Sequence, residues 1–267
     1  METITSTVTS KDGTRIVYDK VGRGPAFILV AGAMCSRNFW SGPQLARLLA
    51  SRFTVYNYDR RGRGDSGDTR PYAVAREIDD IEALIDEAGE PAYLYGHSSG
   101  AALAMEAALR LGKKVKKLAM YEAPYNNDAE AQRAWKQYIK QLAEALAADR
   151  RGDAVVLFMR LVGTPDDQIE AMRQSPEWPT FEAIGPTLAY DHAAIMGEDA
   201  SVPTGRAALL TAPTLIMSGG ASYPFMTVTA RALGKAIPSA QVRTLEGQTH
   251  DVDMNVLARV LMEFFSG

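Results

Sequence analysis

The stretch "YLYGHSSGAAL", residues 93–103, constrains the fold of this chain more than any other. A β-favouring run, Ala92–Tyr95, passes through Gly96-His97-Ser98-Ser99-Gly100 straight into a helix built from small residues, Ala101, Ala102, Ala104, Ala107 and Ala108, with Gly112 as its stop. A strand that becomes a helix within five residues leaves no room for a β-carbon at Gly96 or Gly100, where it would crowd the neighbouring strand or helix. Ser98 is thereby expected to project at the carboxyl end of a sheet. The helix behind it starts at Ser99, whose backbone N–H and dipole would face any negative charge formed there.

Other β-rich runs alternate with helical patterns in the same way. Strands are predicted near Thr3–Thr9, Thr14–Asp19, Ala26–Val30, Thr54–Tyr58 and Lys117–Tyr121, then again at Thr214–Met217 and Gln241–Leu245. The first two, joined by "SKDG", form an expected antiparallel hairpin at the edge; the later, long crossovers require parallel pairing. Ile78, Ile81, Leu84, Ile85 and Ala88 recur at helical spacing before Gly89, which predicts an amphipathic helix over Ala75–Ala88. Further helices are expected at about Met226–Ala236 and Val256–Phe265. From Pro124 to about Ala212 the alternation stops, and helical stretches such as Ala129–Arg150 take over. The expected organisation is an α/β core, residues 1–123 and 213–267, with a helical lid inserted at 124–212.

At 267 residues and 46% hydrophobic, the chain can bury a large core. A net charge of −3, with the signs interspersed, argues against nucleic acid or an anionic membrane as the main partner. A small-molecule substrate and a monomer or homodimer are expected. The N-terminus lacks the pattern of a secretory signal and no apolar run is long enough to span a bilayer, so a cytoplasmic location is expected. The single cysteine, Cys35, excludes an intramolecular disulfide and a multi-cysteine metal site, and neither metal nor cofactor is expected.

Ser98 needs a base to be nucleophilic at neutral pH, and imidazole has the suitable intrinsic pKa. Of the three histidines, His97 lies inside the turn with its side chain directed away from the nucleophile's, and His192 lies in the expected lid. His250 follows the last strand and is the candidate base. Taken together, "GHSSG", "FILVAGAMCSRNFW", "YNYDRRGRGDSG" and "LEGQTHDV" resemble, over nearly the whole chain, the α/β-hydrolase family. The resemblance implies an eight-stranded, mostly parallel sheet with helices on both faces. It also implies a Ser98–His250 pair and an oxyanion hole made by the N–H of Ser99 with that of Ala33 or, alternatively, Met34. Ala31-Gly32 stands where the family usually has His-Gly. In the "YDRRGRGDSG" loop, Asp59 and Arg61 are expected to bridge loops by charged hydrogen bonds; its Gly–Arg content also suggests phosphate, but the Walker lysine spacing is missing.

The third catalytic group is expected away from its usual position in the family. In most of the family the orienting carboxylate follows strand 7, where this chain reads "SGGASYPF", and no acidic residue occurs between Asp199 and Glu246. Glu122 ends strand 6, the position at which haloalkane dehalogenases and some relatives carry their acid. It is the candidate orienting group for His250, with a lid-anchoring role as the alternative; Asp191, Asp199 and Asp251 are weaker candidates. With a serine nucleophile the expected chemistry is carboxylesterase-like acyl transfer to water: hydrolysis of an ester, thioester or lactone. Cofactor-free carbon–carbon hydrolysis, lyase or perhydrolase chemistry, and ligand binding without turnover, stay open. Met34, Tyr125, Trp178, Tyr190, Tyr223 and Phe225 are candidates to line a largely apolar pocket.

Overall fold

The computed structural model describes residues 2–267. Eight strands form one sheet: β1 (Ile4–Thr9), β2 (Arg15–Gly22), β3 (Ala26–Val30), β4 (Thr54–Tyr58), β5 (Ala92–His97), β6 (Val115–Tyr121), β7 (Thr214–Gly219) and β8 (Ala240–Leu245). Their order is β1-β2-β4-β3-β5-β6-β7-β8. The β1–β2 hairpin sits at one edge, β2 pairs antiparallel with β4, and every later pairing is parallel. This is the mostly parallel sheet that the resemblance implies.

Strand periodicity sorts the core into two layers. Along β3, Ala26, Ile28 and Val30 face one hydrophobic layer and Phe27 and Leu29 the other, because successive side chains leave a strand on opposite sides. The first layer is closed by α2 (Val74–Ala88), α3 (Ser99–Leu111) and α9 (Pro224–Ala236). The second is closed by α1 (Gly42–Leu49) and α10 (Met254–Ser266), with Phe264 and Phe265 packed among Phe27, Phe53 and Leu261. The α2 helix ends as its sequence predicts, at Gly89 in the left-handed conformation (φ 71°) with its N–H on the Asp86 carbonyl. The short α1 is not among the helices expected from the sequence; Gly42, Leu45, Ala46 and Leu49 form its buried side.

Between β6 and β7 the chain is helical: α4 (Ala129–Ala147), α5 (Arg151–Leu161), α6 (Asp166–Arg173), α7 (Trp178–Ile184) and α8 (Thr204–Ala207), with a π-helical turn at Ala189–Ile195. The helix expected to run to Arg150 stops earlier, because Asp149 adopts a left-handed backbone (φ 52°) and Arg151 opens a new helix. This segment has an apolar core of its own, which includes Tyr138, Leu142, Val155, Met159, Trp178 and Leu188, and Met34 from the loop after β3 packs into it.

Candidate active site

The turn after β5 has the tight geometry its glycines suggest. A β-carbon on Gly96 would lie 2.4 Å from the Gly100 carbonyl oxygen, and one on Gly100 would lie 2.3 Å from that of Val30. Ser98 sits between them at φ 56°, ψ −130°, a region that L-residues rarely adopt. It occupies the N-cap position of α3, yet its hydroxyl makes no capping hydrogen bond, so the oxygen is free for chemistry. The first residue of that helix is Ser99, whose N–H has no intrahelical acceptor.

Five non-glycine residues among those described have positive φ, and three of them lie directly after or in the loops after β3, β5 and β6: Met34 (59°), Ser98 and Glu122 (50°). Such conformations persist where the surroundings over-determine them, and they cluster at functional sites.

Glu122 directly follows β6, and its side chain is inaccessible to solvent. Its Oε2 accepts from Nδ1 of His250 at 2.7 Å and from the Ser222 hydroxyl at 2.9 Å; its Oε1 accepts from the Gly219 N–H at 2.7 Å. The structure therefore brings Glu122 and His250 together, with Ser222 as a donor to the same carboxylate. A proton on Nδ1 leaves Nε2 as the basic nitrogen. The preceding residue, Tyr121, donates its hydroxyl to the Thr249 carbonyl at 2.5 Å. Two consecutive residues at the end of β6 thus hold the His250 loop, one through its backbone and one through its imidazole. No hydrogen bond joins the Ser98 hydroxyl to His250 in this structure, where the His250 ring is held by Glu122.

None of the other acids reaches His250. Asp251 is exposed, Asp199 accepts from the Ser201 N–H, and Asp191 is fully buried against Arg60, Arg63 and Ser99. Burial alone would push the Asp191 carboxyl up, but the charges of Arg60 and Arg63 outweigh it and hold it at about 2.

His97 has a part that its sequence position hides. Its ring stacks on Tyr121 and its centroid lies 5.0 Å from that of His250, so it packs behind the candidate base. Burial, with His250 close by, pushes its pKa down to about 3, which keeps it neutral. The "YDRRGRGDSG" loop is locked by ion pairs: Arg61 forms a two-pronged bond with Asp80 (2.8 and 2.7 Å) and reaches Asp12, while Asp59 binds Arg37 and the Asp65 N–H. Asp59 and Arg61 are thus engaged in charged hydrogen bonds within the protein.

Two of the aromatic pocket candidates are engaged by partners of their own. Tyr125 is fully buried in the sheet-side core, where its carbonyl accepts from Thr229 and Glu106 is a charged neighbour, because the chain leaves Glu122 toward the back of α3. Tyr190 stacks on Tyr72 at 3.8 Å and donates to Asp68, which turns it to the loop after β4. Trp178 packs with Phe181 inside the helical segment, and Met34 joins the same cluster from the loop after β3. Tyr223 is half-exposed and donates to the Val162 carbonyl at 3.0 Å, beside Phe225. Among the described residues no group of three or more His, Cys, Asp or Glu side chains is placed to hold a metal ion, and no helix is long and apolar enough to cross a membrane.

Comparison with known proteins agrees with this fold. A crystal structure of an alpha/beta hydrolase from Sphaerobacter thermophilus is 47% identical, covering 97% of this chain and 100% of that one, with a TM-score of 0.85. A 2-hydroxy-6-oxo-6-phenylhexa-2,4-dienoate hydrolase from Rhodococcus shares the fold at 20% identity, covering 100% of this chain and 99% of that one, with a TM-score of 0.70. The Mycobacterium tuberculosis protein named "Probable oxidoreductase EphD" is 39% identical over 100 residues, 35% of this chain and only 17% of that relative's length. The model of the Alpha/beta hydrolase family matches residues 27–260, and on that match the chain belongs to this family.

Proposed function

We propose that the protein is a serine hydrolase that cleaves an ester, thioester or lactone of a small to medium, largely apolar substrate through an acyl-enzyme. The observation that carries this reading is the 2.7 Å contact between Nδ1 of His250 and a solvent-shielded Glu122, beside a serine held at positive φ with its hydroxyl uncommitted. His250 takes the Ser98 proton through Nε2 as the oxygen attacks the acyl carbon. Glu122 holds the ring and stabilises the imidazolium that forms. The N–H groups of Ala33 and Ser99 receive the developing oxyanion. His250 then returns the proton to the leaving group, and water repeats the sequence to release the acid.

The helical segment 124–212 serves as the lid. Its support is two contacts across its rim: the Tyr223–Val162 hydrogen bond, and an edge-on pair between Phe39 and Phe181 with centroids 5.3 Å apart. Met34 and Trp178, with Tyr223 and Phe225 at the rim, supply the apolar wall.

A fluorophosphonate probe tests the assignment. Labelling of wild type at Ser98, lost in Ser98→Ala, with turnover of short p-nitrophenyl esters, is the expected result. Labelling without ester turnover would move the reading to carbon–carbon hydrolase, lyase or perhydrolase chemistry. No labelling of folded protein would favour a binding member of the fold.

A further inference from the structure

Two consecutive carbonyls in the loop after β3 are each gripped by a buried guanidinium. Arg60 Nη1 donates to the Ala31 carbonyl at 3.1 Å, and Arg63 Nη1 donates to that of Gly32 at 2.7 Å. Both arginines converge on one carboxylate, Asp191, which binds Arg60 Nη1 at 2.6 Å through Oδ1 and Arg63 Nη2 through Oδ2. The same Oδ1 accepts the Ser99 hydroxyl at 2.8 Å. Arg60 is completed by a two-pronged bond to Glu77, at 2.7 Å on each side. Arg60, Arg63, Asp191 and Ser99 are all essentially sealed from solvent.

A trans peptide is planar, with its C=O and N–H pointing in opposite directions. Fixing the Gly32 carbonyl therefore fixes the direction of the Ala33 N–H, and a cationic donor on that carbonyl polarises the peptide toward a stronger N–H. On the other side, the bond from Asp191 to the Ser99 hydroxyl anchors the residue whose own N–H heads α3. One carboxylate thus ties together the two residues that carry the oxyanion donors. Asp191 belongs to the π-helical turn Ala189–Ile195, an irregularity found mostly as single turns at functional sites. Stability is a weak reason to keep such a cluster, since buried ion pairs are commonly replaceable by apolar groups without loss.

We propose that Arg63 and Asp191, braced by Arg60, are positioning residues that hold the Ala33 and Ser99 N–H groups in register. Oxyanion stabilisation then depends on a carboxylate supplied by the helical segment between β6 and β7. This rests on the Ser98-centred reading above.

The test measures kcat and KM on a p-nitrophenyl ester together with amide hydrogen exchange at Ala33 and Ser99, in wild type, Arg63→Met, Arg63→Lys and Ser99→Ala. Arg63→Met is expected to lower kcat by about a hundredfold, the scale of losing one oxyanion donor, with KM nearly unchanged. It should also speed exchange at Ala33, and Arg63→Lys should recover part of both effects. Ser99→Ala removes one neutral hydroxyl and no buried charge, so it serves should Arg63→Met fail to fold. Its expected loss is about tenfold in kcat at constant KM, with faster exchange at Ser99. Wild-type kcat with wild-type exchange at both amides overturns the proposal. A rise in KM at constant kcat also overturns it, because it would make Arg63 a substrate contact. A wild type inactive on all esters would sink the serine-hydrolase reading alone, and the exchange data would still decide whether the cluster holds these two amides.

Discussion

Nδ1 of His250 lies 2.7 Å from Oε2 of Glu122, a carboxylate that leaves β6 rather than β7 and is sealed from solvent. Glu122→Gln keeps the side chain's shape and an acceptor for the Gly219 N–H, but removes the charge that would stabilise the imidazolium. A fall in kcat of about 10³-fold or more is expected, with an unchanged circular dichroism spectrum. Activity near that of wild type would reject the triad and leave a Ser98–His250 dyad.

Ser222, in the loop after β7, donates to the same Glu122 oxygen as His250 does. Ser222→Ala should weaken the orientation of Glu122 without removing its charge. One hydrogen bond of this kind contributes about 1 kcal/mol, so a loss of roughly fivefold in kcat is expected. A loss as large as that of Glu122→Gln would show that Ser222 acts on His250 directly.

Gly100→Ala would place a methyl group 2.3 Å from the Val30 carbonyl and 2.5 Å from that of Ala31, both backbone atoms that cannot swing aside. Destabilisation of about 3 kcal/mol and loss of Ser98 labelling are expected. Thermal melts of the variant check this, and an unchanged Tm would mean that the turn relaxes more freely than its packing implies.

Burial pushes His97 down to about 3 and His192 down to about 4, from an ordinary value of 6.5. Below pH 6.5 the unfolded chain binds protons that the folded protein refuses, so stability should fall as the pH drops from 6.5 toward 4. Each histidine contributes at most about 1.4 kcal/mol per pH unit in that window. Urea melts between pH 7 and pH 4.5 read the slope directly. His192→Asn, which keeps an acceptor near the Tyr138 hydroxyl, should make it shallower; an equal slope in the variant would remove His192 from the account.

Much of the architecture is visible in the sequence because period-two strands and amphipathic helices are local patterns. The Phe27/Leu29 against Ile28/Val30 alternation and the Gly89 stop carry their meaning within a few residues. The turn around Ser98 is legible for the same reason at Gly96, whose β-carbon would meet Gly100 and Ala101 a few residues on, whereas the clash at Gly100 is with the distant Val30 and Ala31 carbonyls and belongs to the tertiary structure. The helical segment is less legible. Tyr125 and Tyr190 look like pocket residues by composition, but their destinations depend on which way the chain leaves β6 and on Tyr72, 118 positions earlier than Tyr190 in sequence (190 − 72 = 118).

The acid and the oxyanion loop show where local pattern runs out. Sequence by itself determined that the position after β7 has no carboxylate and that Glu122 is one strand away. Only the tertiary structure decided that Glu122 points at His250, because that contact spans 128 residues and depends on the twist and order of three parallel strands. It also decided the partners of Arg60 and Arg63, whose carboxylate arrives from a distant π-helical turn. Charged side chains in a sequence read as surface until the fold supplies each with a buried counter-charge, and that pairing is a property of the packed chain alone.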